Sequence, residues 1–400
     1  MKMQWSFTII VVIIGLMFSS CKSQDIQQPL FSPTVELIPT SEATMKVNDV
    51  DEAATEIDAT QVQASLVLSE PGPYFAGNRE YSVVDESRNG REINLLIWYP
   101  ALMETNSDGK TIVRDAVPNT SDAPFPVILT EESSGRYFFL SHLASHGFMM
   151  VVVRSPKTIQ GEPLGAFPLF DNVQDFLFAL EQIGSNPPKG LEGMLDSDHV
   201  GVTGYSYGGD IALTIGGARL DPDFYLSQCS QISSIVPEEY QWVYRDYYCF
   251  EADNWDDYVT YAGKEITTSE DGLWQPLTDP RIKAIMPMAP TVSWYYGERG
   301  LGVVNMPTLL VWGTKDDLSP YLLEAPFTYE NLGSKEKLLI SFIGRTHMLP
   351  QLEDAVFQVK HFTTAFFGYY LQGKEEYAEY FSEDFVSQNK AFHWGVFKEP

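Results

Sequence analysis

Basic residues are scarce in this sequence. Its 400 residues include 26 Lys and Arg against 54 Asp and Glu, which gives a formal net charge of -28 at pH 7. Such a charge repels phosphate backbones and anionic lipid headgroups, so we expect no nucleic-acid partner. The acidic excess suits the solubility of an exported protein.

Long apolar runs are also absent, except near the N-terminus. Trp5 to Phe18 is short for a membrane span but has the length of a signal-peptide core. The residues Phe18-Ser19-Ser20-Cys21 resemble a bacterial lipobox, with Phe18 where Leu is usual. We therefore predict a lipoprotein-type signal peptide over residues 1–21 and lipidation of Cys21. Ordinary cleavage near Ser20, with Cys21 incidental, is the alternative.

Residues 22–70 have few aromatics and no sustained periodicity, and they are rich in Ser, Thr, Gln, Pro, Asp and Glu. This composition cannot bury enough apolar surface to offset the entropy of ordering, so it predicts a disordered acidic linker. The linker would tether a folded domain, residues 71–400, to the lipid on Cys21. We expect an exported protein of the cell envelope, held to a membrane by its lipid alone or else secreted, with no obligate protein partner.

Only three cysteines occur in the chain. With Cys21 assigned to the lipid, Cys229 and Cys249 remain, and in an oxidising exported compartment such a pair favours one disulfide. Two buried thiols that pack as small hydrophobic side chains are the alternative.

Apolar strands alternate with helices from about residue 71 onward. The first two strands flank a turn at Arg88-Asn89-Gly90 and predict an antiparallel pair. The later alternation is typical of a mostly parallel sheet with helices on both faces. The predicted strands are Arg79 to Val84, Glu92 to Trp98, Phe125 to Leu129, Phe148 to Val153, His199 to Thr203, Ile282 to Met288, Thr308 to Trp312 and Lys337 to Phe342. Residues 219–278 interrupt the pattern with an acidic, aromatic stretch, which we interpret as a cap over the site.

A Gly-x-Ser-x-Gly motif, Gly204-Tyr205-Ser206-Tyr207-Gly208, directly follows a buried strand and directly precedes a small-residue helix. This strand–turn–helix setting is that of the nucleophile elbow of an α/β hydrolase. The serine would take the strained turn, while the flanking glycines let helix and strand pass close together. We predict Ser206 as a nucleophile; a glycine-rich structural turn is the alternative.

A nucleophilic serine needs a base, and the base needs an acid that orients it, in the chain order Ser, acid, His. Three of the six histidines follow Ser206, of which His361 lies in a predicted helix and His393 in the C-terminal tail. His347 lies in a loop just after a predicted strand, so we predict it as the general base.

The loop after the strand that ends at Trp312 offers two candidates for the acid. Asp316 is preferred because it comes three residues after Gly313 and four before Pro320. Asp317 is the fallback, and either carboxylate could instead cap the following helix.

Stabilisation of an oxyanion needs backbone amides that point at it. The first is expected from Tyr207, the residue after the nucleophile. The second is expected from the loop at residues 130–136, where Ser134 is preferred over Ser133.

Together these features resemble a family of bacterial predicted dienelactone hydrolases and lipases related to platelet-activating-factor acetylhydrolase. The resemblance runs from about Tyr74 to Leu371 and includes the elbow and the loops of Asp316 and His347. Further matching segments are Asp85 and Arg88 with Gly90-Arg91-Glu92, Ile97 to Pro100, Leu143 to Phe148 and Phe366 to Leu371. The resemblance implies an α/β-hydrolase fold and carboxylic-ester hydrolysis by a Ser-Asp-His triad without metal or cofactor.

Two departures from the family pattern bear on activity. Members usually carry Ser-His-Gly in the oxyanion loop, and here Glu131-Glu132-Ser133 stands in its place. A carboxylate pointing at the hole would repel the oxyanion. Dienelactone hydrolases proper use a cysteine nucleophile, so Ser206 argues against that specific activity.

The favoured function is a serine esterase or lipase that acts on a small-molecule or lipid ester through an acyl-enzyme on Ser206. One alternative is a polyester or peptide hydrolase with the same triad. The other is a non-catalytic surface binding protein on a hydrolase scaffold.

Overall fold

Nine strands make a single sheet in the part of the chain that the structure describes. That part comprises residues 66–132, 137–156, 168–291, 293–349 and 353–398 of a computed structural model. In chain order β1 to β9, the strands are Phe75–Asp85, Arg91–Ala101, Phe125–Glu131, Met149–Arg154, Leu195–Tyr205, Ile282–Met288, Thr308–Gly313, Lys337–Phe342 and Phe392–Trp394.

Most of this sheet is parallel, as predicted. The strand order is β1-β2-β4-β3-β5-β6-β7-β8-β9. Strands β3 to β8 pair in parallel, whereas β1 with β2, β2 with β4 and β8 with β9 pair antiparallel. Every residue of β7 is buried, so side chains on both faces of that strand are covered. The protein is therefore an α/β protein with a mostly parallel central sheet.

Helices connect these strands and cover them. In chain order α1 to α13, they are Tyr137–Ser145, Pro168–Ser185, Tyr207–Ile215, Pro222–Cys229, Ile232–Ile235, Gln241–Val243, Phe250–Asp253, Trp255–Ala262, Lys264–Thr267, Ser293–Gly302, Tyr321–Asn331, Glu353–Gln372 and Glu383–Ser387. Short 3₁₀ turns lie at Val67–Ser69, Glu86–Arg88, Glu238–Tyr240 and Glu375–Phe381, and a π-helical turn lies at Tyr244–Tyr248. The long helix α12 packs closely on β5. At Gly201 of β5, an added Cβ would lie only 2.5 Å from the Phe367 ring of α12.

Residues 219–278, which we call the helical segment, lie between α3 and β6 and contain helices α4 to α9. A disulfide joins Cys229 to Cys249, with 5.5 Å between their Cα atoms, which confirms the predicted bond. Near the two ends of the helical segment, Arg219 makes a bidentate ion pair with Asp271, at 2.6 and 2.9 Å. The helical segment is therefore held by a covalent bond within it and by an ion pair between residues near its two ends.

The described part of the chain begins at Leu66, five residues before the predicted boundary at residue 71. Leu66 and Leu68 are buried, and the Leu68 amide donates to His361 Nδ1 at 3.2 Å. The last residues of the predicted linker are thus part of the core, because two leucines close together bury apolar surface without any longer pattern. The predicted signal peptide, Cys21 and linker residues 22–65 lie outside the described residues.

Candidate active site

Ser206 occupies a sharp turn between β5 and α3. Its backbone angles are φ 56° and ψ -121°, in a region that is strained for a residue with a side chain. The flanking glycines are needed sterically. A Cβ on Gly204 would lie 2.1 Å from the Gly208 carbonyl oxygen, and one on Gly208 would lie 2.6 Å from the Glu131 side chain. The predicted strand–turn–helix setting is therefore present, and the serine stands at its corner.

The structure brings Ser206, His347 and Asp316 into one hydrogen-bonded chain. His347 Nε2 lies 2.9 Å from Ser206 Oγ. On the other side of the ring, His347 Nδ1 lies 2.8 Å from Asp316 Oδ2 and 3.0 Å from Oδ1. A carboxylate can only accept hydrogen bonds, so the proton of the neutral imidazole belongs on Nδ1 and Nε2 is the acceptor for the serine hydroxyl.

The carboxylate of this chain is Asp316, the preferred candidate, and not Asp317. Asp316 is only 3% exposed, whereas Asp317 is exposed to solvent. Burial raises the pKa of the Asp316 carboxyl, while hydrogen bonds from His347 and from two backbone amides favour its charged form. Those amides belong to Leu318 and Ser319, at 3.1 and 2.8 Å from Asp316 Oδ1.

Backbone contacts hold the loops of Asp316 and His347 against each other. The Lys315 amide donates to the Arg345 carbonyl at 2.8 Å, and the Gly344 amide donates to Thr314 Oγ1 at 2.8 Å. The hydroxyl of Tyr205, directly before the elbow serine, donates to the His347 carbonyl. The three side chains are therefore positioned by rigid strand ends, since their loops follow β5, β7 and β8 at the carboxyl edge of the parallel strands.

The predicted amide donors for an oxyanion are described only in part. Tyr207 is the first residue of α3, so its amide is at the N-terminus of that helix, where negative charge is favoured. The preferred second donor, Ser134, and its alternative Ser133 lie outside the described residues.

Glu131 and Glu132, which stand where the family that the sequence resembles usually carries Ser-His, have different surroundings. Glu132 is exposed, and its carboxylate pairs with Arg154 Nε at 3.0 Å. Glu131 ends β3, and its side chain lies beside the first turn of α3, where a Cβ on Gly208 would come within 2.6 Å of its Cγ and Oε1. Only Glu131 therefore adjoins the elbow.

Ser206 and His347 open on a cavity of about 500 Å³. Six of the residues that line it come from one stretch of the helical segment: Val243, Asp246, Tyr247, Tyr248, Phe250 and Glu251. The sequence predicts a cap over residues 219–278 but singles out none of these lining residues, because the short helices carry no period that separates inward from outward side chains. The individual lining residues of this cavity wall are thus the part of the site that sequence reasoning missed.

This wall is fastened to the loop of Asp316 and to the helix that follows it. The Tyr248 hydroxyl donates to the Leu318 carbonyl, next to Asp316. The Tyr244 hydroxyl donates to Glu324 of α11, which also accepts from Ser293 Oγ. The cavity wall is therefore fixed to the same loop that carries Asp316.

No helix among the described residues is both long and apolar enough to cross a bilayer. That part of the chain also brings together no group of three or more His, Cys, Asp or Glu side chains that could hold a metal ion. In comparisons with known proteins, the chain matches none of the protein-family models and none of the curated proteins.

Proposed function

We propose that the chain is a serine carboxylic-ester hydrolase of the α/β-hydrolase fold, acting through an acyl-enzyme on Ser206. One observation carries this proposal: an elbow serine, a histidine and a buried aspartate form a continuous hydrogen-bonded chain, with 2.9 and 2.8 Å at its two links. The order Ser206, Asp316, His347 along the sequence is also that of the α/β hydrolases.

In the first half of the reaction, Ser206 Oγ attacks the ester carbonyl carbon while His347 Nε2 takes the hydroxyl proton. The carbonyl oxygen becomes an oxyanion, which the Tyr207 amide and a second amide, proposed to be that of Ser134, would stabilise. His347 then returns the proton to the departing alkoxide, so that the alcohol leaves and the acyl-enzyme remains.

In the second half, His347 removes a proton from water, and the resulting hydroxide attacks the acyl carbonyl. Collapse of this second intermediate returns the proton from His347 to Ser206 and releases the carboxylic acid. Asp316 stays ionised throughout. It fixes the tautomer of His347 and stabilises the imidazolium that forms in each half.

We further propose that the helical segment acts as a cap. Its support is the position of six of its residues between 243 and 251, which line one cavity together with Ser206 and His347. A wall over the nucleophile excludes water from the acyl-enzyme and supplies contacts for the substrate.

The site would lie on an exported protein that is lipidated at Cys21. The Cys229–Cys249 disulfide supports export, because disulfides persist in oxidising compartments. Incorporation of radiolabelled palmitate, and processing that globomycin blocks, test the anchor. A soluble product without label contradicts it.

Hydrolysis of short- and long-chain p-nitrophenyl esters tests the proposed function. The wild-type chain should release p-nitrophenol with either ester, and Ser206→Ala should reduce kcat by about 10⁶-fold, to the level of a site without its nucleophile. Ser185→Ala, at an exposed serine at the end of α2, is the matched control and should keep wild-type rates. Wild-type protein without turnover of any ester would contradict the proposal.

A further inference from the structure

The cavity beside Ser206 has an unusual lining. Five aromatic residues line it: Tyr207, Tyr247, Tyr248, Phe250 and Tyr295. Two carboxylates, those of Asp246 and Glu251, accompany them, and among the described lining residues there is no lysine or arginine. The walls are therefore rich in π-electrons and negative charge and poor in positive charge.

The two carboxylates lie at different depths. Asp246 is exposed and so marks the mouth of the cavity, whereas Glu251 is only 9% exposed. Burial raises the pKa of the Glu251 carboxyl, while hydrogen bonds from the phenols of Tyr225 and Tyr295 favour its charged form. Among the described residues, no lysine or arginine forms an ion pair with Glu251.

A buried carboxylate without a cationic partner is costly, and its cost falls when a cation is brought beside it. Aromatic ring faces attract cations as well, and desolvation strengthens that attraction. An anionic group in the same cavity would meet two carboxylates and the negative faces of the rings. This lining therefore favours a cationic ligand over an anionic one.

We propose that the cavity recognises an ester with a positively charged ammonium group, seated among the aromatic side chains and near Glu251. This inference rests on the proposed esterase function of Ser206 and adds the chemical class of its substrate. The volume of about 500 Å³ is within the usual range for small-molecule sites, so it accommodates a substrate much larger than an acetyl ester. Asp246 at the mouth would attract the same cation during its approach.

Three esters of similar shape test the inference: butyrylcholine, its uncharged isostere 3,3-dimethylbutyl butyrate, and the anionic 3-sulfopropyl butyrate. For the full chain, we expect kcat/KM for butyrylcholine to exceed that of the neutral isostere by about tenfold or more. The anionic ester should be hydrolysed more slowly than the neutral one.

Glu251→Gln keeps the size and hydrogen bonding of the side chain but removes its charge. We expect this variant to lower the ratio of kcat/KM between the cationic and neutral esters by about fivefold or more. Asp253→Asn, at an exposed carboxylate of the same helix α7, is the matched control and should leave the ratio unchanged. The ratio, and not either rate alone, separates a loss of cation recognition from a general disturbance of the fold.

Equal or better hydrolysis of the neutral ester by the wild-type chain would overturn this inference while leaving the esterase proposal standing. A ratio that Glu251→Gln does not change would overturn the role of Glu251 and with it the proposed seat of the cation. Failure to hydrolyse any ester, together with no labelling by a fluorophosphonate, would instead overturn the proposed function and this inference together.

Discussion

At the scale of single residues, Asp316 and Asp317 are adjacent carboxylates with opposite surroundings. We expect Asp316→Asn to lower kcat for ester hydrolysis by about 10²- to 10⁴-fold, because an amide can donate to His347 Nδ1 and so favour the wrong tautomer. Asp317→Asn removes the same charge one residue away from an exposed position and should change kcat by less than about threefold. Steady-state kinetics of the two variants check this, and a larger loss for Asp317→Asn would reassign the acid.

Glu131 and its neighbour Glu132 also differ in their surroundings, so substitutions of the two can be compared directly. A carboxylate near the first turn of α3 opposes an oxyanion at the same helix end, at a cost of about 1 to 3 kcal/mol for charges several ångströms apart. We therefore expect Glu131→Gln to raise kcat by about tenfold, and Glu132→Gln, which only breaks an exposed pair with Arg154, to leave it unchanged. A lower kcat in Glu131→Gln would show that this carboxylate supports catalysis.

At the scale of elements, the 3₁₀ turn Val67–Ser69 is fastened to two helices by one residue. The Leu68 amide donates to His361 Nδ1 of α12, and His142 Nε2 of α1 lies 3.0 Å from the Leu68 carbonyl oxygen. Both backbone groups of Leu68 are thus satisfied inside the core, next to two buried leucine side chains.

Truncation tests this attachment. A chain that begins at Pro71 loses the burial of Leu66 and Leu68, so its free energy of unfolding should fall by about 3 to 6 kcal/mol relative to a chain that begins at Leu66. Urea unfolding of the two truncated chains, followed by tryptophan fluorescence, measures the difference. Equal midpoints would mean that the fold begins at residue 71, as the sequence predicted.

The elements also show where sequence patterns carry information. Strands β6 and β8 have the predicted bounds because each is a short, mostly apolar and mostly buried run. Strand β5 begins four residues earlier than predicted, since three polar residues, 196–198, follow Leu195 and break the apolar pattern, and pairing with β3 places this start. The short strand β9 was not predicted at all, because three residues carry no period.

The residues of the candidate site also fall into those that the sequence predicts and those that it does not. The side chains of Ser206, Asp316 and His347 were found because each follows a recognisable strand in a fixed order along the chain. The residues of the cavity wall, such as Glu251, were not, because their places depend on tertiary contacts and on a disulfide rather than on a local period.

At the scale of the whole molecule, buried ionisable groups should make stability depend on pH in two directions. Burial lowers the pKa of His142 to about 2 and that of His361 to about 3. Stability from these neutral histidines is present above pH 6.5 and is lost as the pH falls below it. Burial also raises the pKa of Glu324 to about 7, so stability from its protonated form is present below pH 4.5 and is lost as the pH rises through 7.

Glu324→Gln isolates the second of these effects. Between about pH 5 and pH 8, the wild-type chain should lose about 3 kcal/mol of unfolding free energy that the variant keeps, because glutamine has no charge to bury. Glu330→Gln, at an exposed position of the same helix α11, should retain the wild-type pH dependence. Urea unfolding at the two pH values measures this, and parallel profiles for wild type and Glu324→Gln would contradict the assignment.

We propose that Ser206 is a nucleophile activated by His347 and Asp316. Fluorophosphonate labelling followed by peptide mass spectrometry tests it most directly, because the reagent bonds covalently to an activated serine. We predict one adduct on Ser206 in the wild-type chain, no adduct in Ser206→Ala and much slower labelling in Asp316→Asn. An unlabelled wild-type chain, or an adduct on any other serine, would contradict it.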